Sequence, residues 1–248
     1  MTSVCMATYN GERFIKEQID SILCQLSPDD ELIISDDGST DRTLELIASY
    51  NGKRIKVLHH KKNPKLAKVK CSYNFYYATE NFENALKEAK GDYIFLSDQD
   101  DVWLPGKKEK MIAALEQNGA DCVMCNFSLI DADGEETGEL GFQKCPKLKN
   151  AFSKIIQSRL IGSSMAFKKE VLDFALPFPK NLIAHDLWIG CLAKKMIFVD
   201  EPLTLYRRYG GNVSSGTGKS PNSFFYKIVY RLKFLQLVLV RKLFGAKK

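Results

Sequence analysis

Residues 1–100 alternate short apolar runs with segments of helical periodicity, and this alternation limits the fold more than any other feature of the sequence. Such a pattern predicts β-α units and a largely parallel sheet. The chain has 248 residues, of which 45% are hydrophobic, so it can bury one substantial core. We therefore expect an α/β domain with helices on the faces of the sheet.

The same pattern continues along the chain. Apolar residues at helical spacing predict helices at residues 15–26, 44–48, 105–118 and 185–195. Strands are predicted at residues 4–7, 32–35, 55–59, 93–97, 122–130 and 163–168, with an extended segment at 196–209. The segment 142–160 has no clear period.

Polar turns directly follow three of these strands. Asn10-Gly11 follows the first strand, Asp36-Asp37-Gly38-Ser39-Thr40-Asp41 ends the second, and Asp98 begins the turn after the fourth. Open α/β sheets bind ligands beyond the carboxyl ends of their strands. We therefore expect the three loops to converge on one edge of the sheet.

Three carboxylates stand within four positions at the end of the fourth strand: Asp98, Asp100 and Asp101. Their mutual repulsion would raise at least one pKa, and carboxylate oxygens are the ligands that hard divalent cations prefer. The cluster predicts a site for Mg²⁺ or Mn²⁺, and the simplest interpretation is a metal that also contacts a phosphate. The alternative is a solvated acidic turn.

The cysteines and the N-terminus indicate a cytoplasmic protein. Seven cysteines at irregular spacing do not form the pattern of a disulfide framework. Cys122 and Cys125 form a C-x-x-C inside a predicted strand, where alternation would point them to opposite faces and argues against zinc or redox chemistry. A strand-like run follows Met1 closely, without a basic or apolar leader.

The C-terminal segment 219–248 is strongly basic. It holds eight Lys/Arg and no Asp or Glu, and without these eight charges the net charge of +6 becomes −2 for residues 1–218. Its longest uncharged run is far shorter than the about 20 residues that span a bilayer. We expect a domain at 1–218 and a basic amphipathic helical tail at 219–248 that lies on an anionic membrane surface. The alternative is a terminal helix that docks on the domain or on a second subunit.

Four segments resemble, in order and spacing, those of family 2 glycosyltransferases with the GT-A fold, over roughly residues 3–215. The resemblance implies a Rossmann-like, mixed and mostly parallel sheet, and the form of the acidic segment is similar to that of bacterial rhamnosyl- and galactosyltransferases that build surface polysaccharides. The segments are Ala7-Thr8-Tyr9-Asn10-Gly11, Asp36-Asp37-Gly38-Ser39-Thr40-Asp41, the stretch from Asn81-Phe82 to Ser97-Asp98-Gln99-Asp100-Asp101-Val102-Trp103, and His185-Asp186-Leu187-Trp188.

The resemblance assigns the donor-binding residues. Thr8, Tyr9 and Asp37 would hold the nucleotide base, with Tyr9 stacked on its face and Asp37 accepting its imide N–H. Asn10 would belong to the same nucleotide-sugar-binding set, and Asp98 would lie near the ribose. Two structural alternatives remain: Asp37 as a helix cap and Tyr9 as a half-buried core aromatic.

The resemblance also assigns the chemical residues. Asp100 and Asp101 would bind the metal that bridges the diphosphate, and Asp186 would be the general base. Arg207 would bind phosphate oxygens, or else serve as a solubilising residue of an edge strand. One departure from the family pattern is Tyr209, which stands where relatives often carry His.

The expected function is transfer of a sugar, with inversion, from a UDP- or dTDP-linked donor to a hydroxyl of a glycan or lipid-linked glycan. This reaction would serve bacterial capsule, O-antigen or cell-wall synthesis on the inner face of the cell membrane. Nucleic acid is not expected as a partner, because the basic segments match no known reader. A homodimer is compatible with the sequence.

Two other functions compete with this expectation. A haloacid dehalogenase-like phosphatase also carries Asp-x-Asp after a strand, but here Asp98-x-Asp100 is mid-chain and lacks the small residue and Thr that usually follow. A non-catalytic sugar-nucleotide or glycan-binding module would tolerate loss of Asp186.

Overall fold

The computed structural model describes residues 1–50, 52, 54–62, 73–146, 148–157, 159–180, 182–210 and 224–245. The strands are β1 (Thr2–Thr8), β2 (Glu31–Asp36), β3 (Ile55–His59), β4 (Tyr93–Asp98), β5 (Val102–Trp103), β6 (Cys122–Ile130), β7 (Glu136–Leu140), β8 (Met165–Lys168) and β9 (Met196–Arg207). The helices are α1 (Ile15–Leu23), α2 (Thr43–Ala48), α3 (Tyr73–Leu86), α4 (Lys107–Gln117), α5 (Ala151–Gln157), α6 (Lys169–Ala175), α7 (His185–Leu192) and α8 (Phe224–Phe244).

The described strands form one mixed sheet in the order β3-β2-β1-β4-β8-β6-β9-β5, with β7 paired to β6. β1 to β4 are parallel to one another, and β6 and β9 run in the same direction. β8 runs antiparallel between β4 and β6. The expected α/β fold with a mixed, mostly parallel sheet is therefore confirmed.

Two apolar layers cover the two faces of the sheet. β4 buries Ile94, Phe95 and Leu96 in succession, as expected for a strand that is covered on both faces. Cys122 belongs to the layer that includes Leu96, whereas Cys125 belongs to the opposite layer with Phe95. The predicted orientation of the two cysteines to opposite faces is confirmed.

The helix α8 docks on the domain by one face. Phe234 and Val238 are buried, and the ring of Phe234 lies edge-on to that of Trp188 in α7, with 6.3 Å between centroids. The guanidinium of Arg241 donates to four successive backbone carbonyls, those of residues 174–177, at 2.6–3.1 Å. In the described part of the chain, no helix combines the length and apolarity needed to cross a membrane.

Most predicted elements are confirmed to within a few residues, and the differences have local causes. β7 was not predicted, because all its residues are exposed and it lacks an alternating pattern. The unassigned segment 142–160 contains α5, and α6 follows β8 without an intervening turn. The stretch at 210–222, where Gly, Ser, Pro and Asn cluster as is typical of a linker, lies outside the described residues from residue 211 on. Residues 63–72 also lie outside them. The division at 218/219 therefore stays a prediction.

Candidate active site

The end of β1 is tied to the acidic loop by Gln99. The side-chain oxygen of Gln99 accepts hydrogen bonds from Thr8 Oγ1 at 2.6 Å and from the Tyr9 N–H at 2.7 Å, and its amide donates to Tyr9 O at 3.0 Å. β1 and β4 are adjacent and parallel, so their carboxyl ends lie side by side. Sequence reasoning quoted Gln99 within the acidic segment but gave it no role.

The loops after β1 and β2 are joined through Asn10. Its backbone is left-handed (φ 49°), its N–H donates to Ser39 Oγ at 2.9 Å, and its side-chain oxygen accepts from Thr40 N–H at 2.8 Å. Asp36 accepts from the N–H groups of Gly38 and Ser39, which stabilises the second turn. Asn10 therefore orders the two loops rather than pointing free into solvent.

Asp37 and Tyr9 lie together with a histidine and a lysine that the sequence did not indicate. His60 Nδ1 is 2.7 Å from one carboxylate oxygen of Asp37, and Lys62 Nζ is 3.6 Å from the other. The same ammonium lies 3.0 Å from the centroid of the Tyr9 ring. Tyr9 is exposed, so a flat ligand can reach its ring once Lys62 moves aside.

The acidic loop places three carboxylates in one enclosed region. Asp100 and Asp101 are buried, and Asp98, at the end of β4, is half-buried. Burial, followed by the charges of Asp101 and Asp100, raises the pKa of Asp98 well above its usual value. Burial and the charge of Asp100 likewise raise the pKa of Asp101. Burial and mutual repulsion therefore disfavour the charged form of these carboxylates, and a bound cation would offset both effects.

Arg207 holds the acidic loop by two hydrogen bonds. Its backbone N–H donates to Asp101 Oδ1 at 3.1 Å and its Nε donates to the carbonyl of Asp100 at 2.9 Å. Its guanidinium pairs with Glu17 at 2.5 Å, and only 2% of the residue is exposed. A phosphate contact by Arg207 stays a prediction, and it would require the side chain to leave Glu17. Tyr209, at the position of the expected His, hydrogen-bonds to Asp100.

A buried lysine lies behind the cluster. Lys107 Nζ donates to the carbonyl of Ser163 at 2.7 Å and to Thr204 Oγ1 at 2.8 Å, both neutral groups. Its charge opposes the upward pKa shifts of Asp98 and Asp101. The sequence did not single out Lys107, because it stands in a helix beside Lys108 and Lys110 and reads as one of several surface lysines.

Asp186 is the second residue of α7 and lies close to the end of β4. Its carboxylate accepts from the Leu187 N–H at 2.7 Å, and burial raises its pKa to about 6. The ring of His185 stacks on Phe82, with 4.1 Å between centroids. After burial and the charges of Asp101 and Asp100, the negative charge of Asp186 is a further cause of the raised pKa of Asp98.

Gly162 brings α7 close to the end of β4. A Cβ at this position would lie 3.1 Å from His185 Nε2, 3.6 Å from Asp186 Cβ and 3.7 Å from Leu96 Cδ1. The absence of a side chain at Gly162 is therefore what lets the start of α7 approach the acidic loop.

We expect Gly162→Ala to lower the turnover number about tenfold to a hundredfold while leaving nucleotide affinity nearly unchanged. The added methyl would press on the His185 ring at 3.1 Å, and a shift of His185 would move the adjoining Asp186; small displacements of reacting groups have effects of this size. Steady-state kinetics with nucleotide titration measures both quantities. Gly52→Ala, where the new methyl meets open space, is the matched control. Wild-type turnover in Gly162→Ala would show that this close approach is not needed.

Unpartnered polar atoms concentrate at this site. Among the described residues, Asp101 Oδ2, Ser163 Oγ, Ser164 Oγ and His185 Nε2 are buried without a hydrogen-bond partner. Buried polar groups normally have partners, so this concentration marks a place where a ligand completes the bonding. No group of three or more His, Cys, Asp or Glu within the described ranges is arranged to hold a metal ion by itself. Oxygen ligands from Asp100 and Asp101 fit a hard cation whose remaining ligands come from the donor.

Polar loops, an acidic cluster and the half-buried Asp186 meet at the carboxyl edge of a mixed α/β sheet, which is where such sheets bind their ligands. The sequence profile described as glycosyl transferase family 2 matches residues 3–174. The chain belongs to this family of glycosyltransferases, and the assignment favours neither a phosphatase nor a non-catalytic module.

Curated relatives match most of the chain. The dTDP-rhamnosyl transferase RfbG of Shigella flexneri is 29% identical over 254 residues, which covers 95% of this chain and 79% of RfbG. TuaG of Bacillus subtilis, named as a putative teichuronic acid biosynthesis glycosyltransferase, is 25% identical over 244 residues, covering 95% of this chain and 91% of TuaG.

Solved structures share the fold. Residues 1–349 of S. aureus TarS in complex with UDP-GlcNAc superpose with a TM-score of 0.69 at 22% identity, over 100% of this chain and 68% of that piece of TarS. The mannosyltransferase PcManGT of Pyrobaculum calidifontis, in complex with GDP-Man and Mn²⁺, gives a TM-score of 0.57 at 18% identity, over 99% of this chain and 65% of PcManGT.

Proposed function

We propose that the protein is a metal-dependent, inverting glycosyltransferase in which Asp186 is the general base. The observation that carries the proposal is the close approach of Asp186, near the start of α7, to β4, which ends at Asp98: a Cβ built on Gly162 would lie 3.6 Å from Asp186 Cβ and 3.7 Å from Leu96 Cδ1. The acceptor oxygen would attack the anomeric carbon as the bond to the nucleoside diphosphate breaks. The acceptor proton would pass to Asp186.

Asp100 and Asp101 would hold Mg²⁺ or Mn²⁺ together with the donor diphosphate. The unpartnered Asp101 Oδ2 supports this role, and so does Mn²⁺ in the neighbouring PcManGT structure. When bound, the ion would neutralise charge on the departing diphosphate. Tyr209 hydrogen-bonds to Asp100, and Arg207 hydrogen-bonds to the Asp101 carboxylate and to the Asp100 carbonyl. These contacts would keep the two carboxylates in place.

The nucleotide would bind along the loops after β1 and β2. Tyr9 would stack on the base, Asp37 would accept its imide N–H, and Thr8 and Asn10 would shape the loops that surround it. An imide N–H is present in uracil and thymine, in keeping with the UDP and dTDP donors named for relatives and neighbours.

The acceptor would be a glycan or lipid-linked glycan of bacterial polysaccharide synthesis, since relatives carry names from such processes. We propose that the enzyme works at the cytoplasmic face of the membrane and that α8 lies against anionic lipid. The exposed Leu232, Leu239 and Leu243 and the absence of acidic residues in α8 support this location.

The test is donor hydrolysis and transfer by purified protein. We expect release of nucleoside diphosphate from a UDP- or dTDP-sugar only with Mn²⁺ or Mg²⁺ present, and a product with the anomeric configuration opposite to that of the donor, as read by NMR. Equal hydrolysis with and without chelator would contradict the metal requirement. Retained configuration would contradict the single displacement and the role of Asp186.

A further inference from the structure

The helix α5 carries an exposed apolar patch, in addition to the exposed leucines of α8. Phe152 is 62% exposed and Ile156 is 46% exposed, and their i, i+4 spacing puts both on one face of the helix. Apart from residues of α8, Phe152 is the most exposed large hydrophobic residue in the described part of the chain. Neither residue contributes to the donor site or the acidic cluster.

The helix α8 has two apolar faces rather than one. Phe234 and Val238 face the domain, whereas Leu232, Leu239 and Leu243 lie on the other side and are 50–74% exposed. Their spacing of seven and four residues gives a continuous stripe along the helix. Docking therefore uses one face of α8 and leaves a full apolar stripe without a partner in the described structure.

The α5 patch and the α8 stripe belong to one side of the molecule. The guanidinium of Arg231 in α8 donates to the carbonyl of Ile156 at 3.0 Å, which joins the end of α5 to α8. On a helix, Arg231 lies between the docked Phe234 and the exposed Leu232, so α5 borders the stripe.

The charged residues beside both patches in the sequence have a single sign. Lys144, Lys149 and Arg159 flank α5 and are exposed, and Lys233 and Lys242 are exposed on α8. The sequence has no Asp or Glu at 143–169 or at 224–245. Exposed apolar side chains on segments that carry only basic charges suit the boundary of an anionic bilayer, where the apolar side chains insert and the cations meet headgroups.

We propose that α5 and α8 form one membrane-binding face, in which Phe152 and Ile156 insert beside the stripe of α8. The inference rests on the proposed membrane association of the tail and adds an insertion element from within the catalytic domain. α5 also packs on α7, where Lys154 Nζ donates to Gly190 O at 2.7 Å. The face is therefore separated by one helix contact from α7, which carries Asp186 in its first turn, and this favours an acceptor carried on a lipid.

Vesicle binding tests the face with the full-length protein. Co-sedimentation uses vesicles of phosphatidylglycerol and phosphatidylcholine at low salt, with donor hydrolysis as the check on folding. We expect Phe152→Ser with Ile156→Ser to weaken binding about tenfold or more, because inserting one large apolar side chain is worth at least that factor. Leu232→Ser with Leu239→Ser should give a similar loss. Val57→Ser, an exposed residue on the edge strand β3, should bind like the wild type.

A fluorescence measurement locates α5 directly. The two native tryptophans are buried, with Trp103 3% and Trp188 0% exposed, so Phe152→Trp adds a single exposed fluorophore. Its emission should shift to shorter wavelength with anionic vesicles and be quenched by brominated lipid, whereas that of Val57→Trp should not. Unshifted Phe152→Trp emission, with wild-type binding by the α5 double variant, would overturn the inference and leave α8 as the only contact. Wild-type protein that ignores the vesicles would overturn the membrane association itself.

Discussion

Asp186→Asn is expected to bind donor nucleotide with wild-type affinity and to lose about 10²- to 10⁴-fold in transfer rate. The amide keeps the shape of the carboxylate and its acceptor oxygen for the Leu187 N–H, but it cannot take the acceptor's proton. Isothermal titration with nucleoside diphosphate and single-turnover transfer measure the two quantities. Asp173→Asn, an exposed acid on α6, is the matched control.

The pH profile of the wild type gives a second readout for Asp186. Burial raises the pKa of this carboxyl to about 6, so the base is progressively protonated, and the transfer rate should fall, as pH drops through that value. The rate should level off about one pH unit higher. Nucleotide binding should not follow the same curve. Wild-type turnover in Asp186→Asn would place the base on another residue.

Asp101→Ala is expected to abolish the dependence of nucleotide affinity on metal. In the wild type, Mn²⁺ should bind weakly alone and much better with nucleoside diphosphate, because the diphosphate oxygens complete its coordination. Removing the carboxylate that carries the unpartnered Oδ2 removes that coupling, and transfer should fall to background. Calorimetry of nucleotide with and without Mn²⁺ measures the coupling in both proteins.

Thermal unfolding without metal separates binding from folding in Asp101→Ala. The variant loses the hydrogen bond from the Arg207 N–H but also removes one of several crowded negative charges, so its melting temperature should change little. Asp173→Ala removes one negative charge, as Asp101→Ala does, but at an exposed position. In this control, nucleotide affinity should still depend on metal. Equal nucleotide affinity with and without Mn²⁺ in the wild type would contradict the assignment of the metal to this cluster.

The sequence predicted the parts of the site that follow from strand ends. Asp37 and Asp98 each stand at the end of an apolar run, and the carboxyl ends of parallel strands share one edge, so their convergence followed from β-α alternation alone. Asp186 was different, because only the family resemblance singled it out. Its position beside Gly162 depends on how α7 packs against β4.

The residues that sequence reasoning missed depend on contacts between distant segments. His60 and Lys62 reach Asp37 from the end of β3, and Lys107 reaches the back of the acidic loop from α4. Nothing in their local pattern separates them from surface cations. Arg207 shows the reverse effect, since its pattern indicated an edge or phosphate-binding residue while tertiary packing buries it against Glu17.

The ammonium of Lys62 over Tyr9 has a consequence for any measured donor affinity. If the base stacks on Tyr9, only those molecules whose ring is uncovered can accept it, and the observed dissociation constant is the intrinsic one divided by their fraction. The side chain acts as an internal competitor, tethered to the site and present at a fixed local concentration. Every nucleotide that stacks on Tyr9 meets the same factor, so absolute affinities include the competition with this lysine, whereas affinity ratios between nucleotides report the fit of each base.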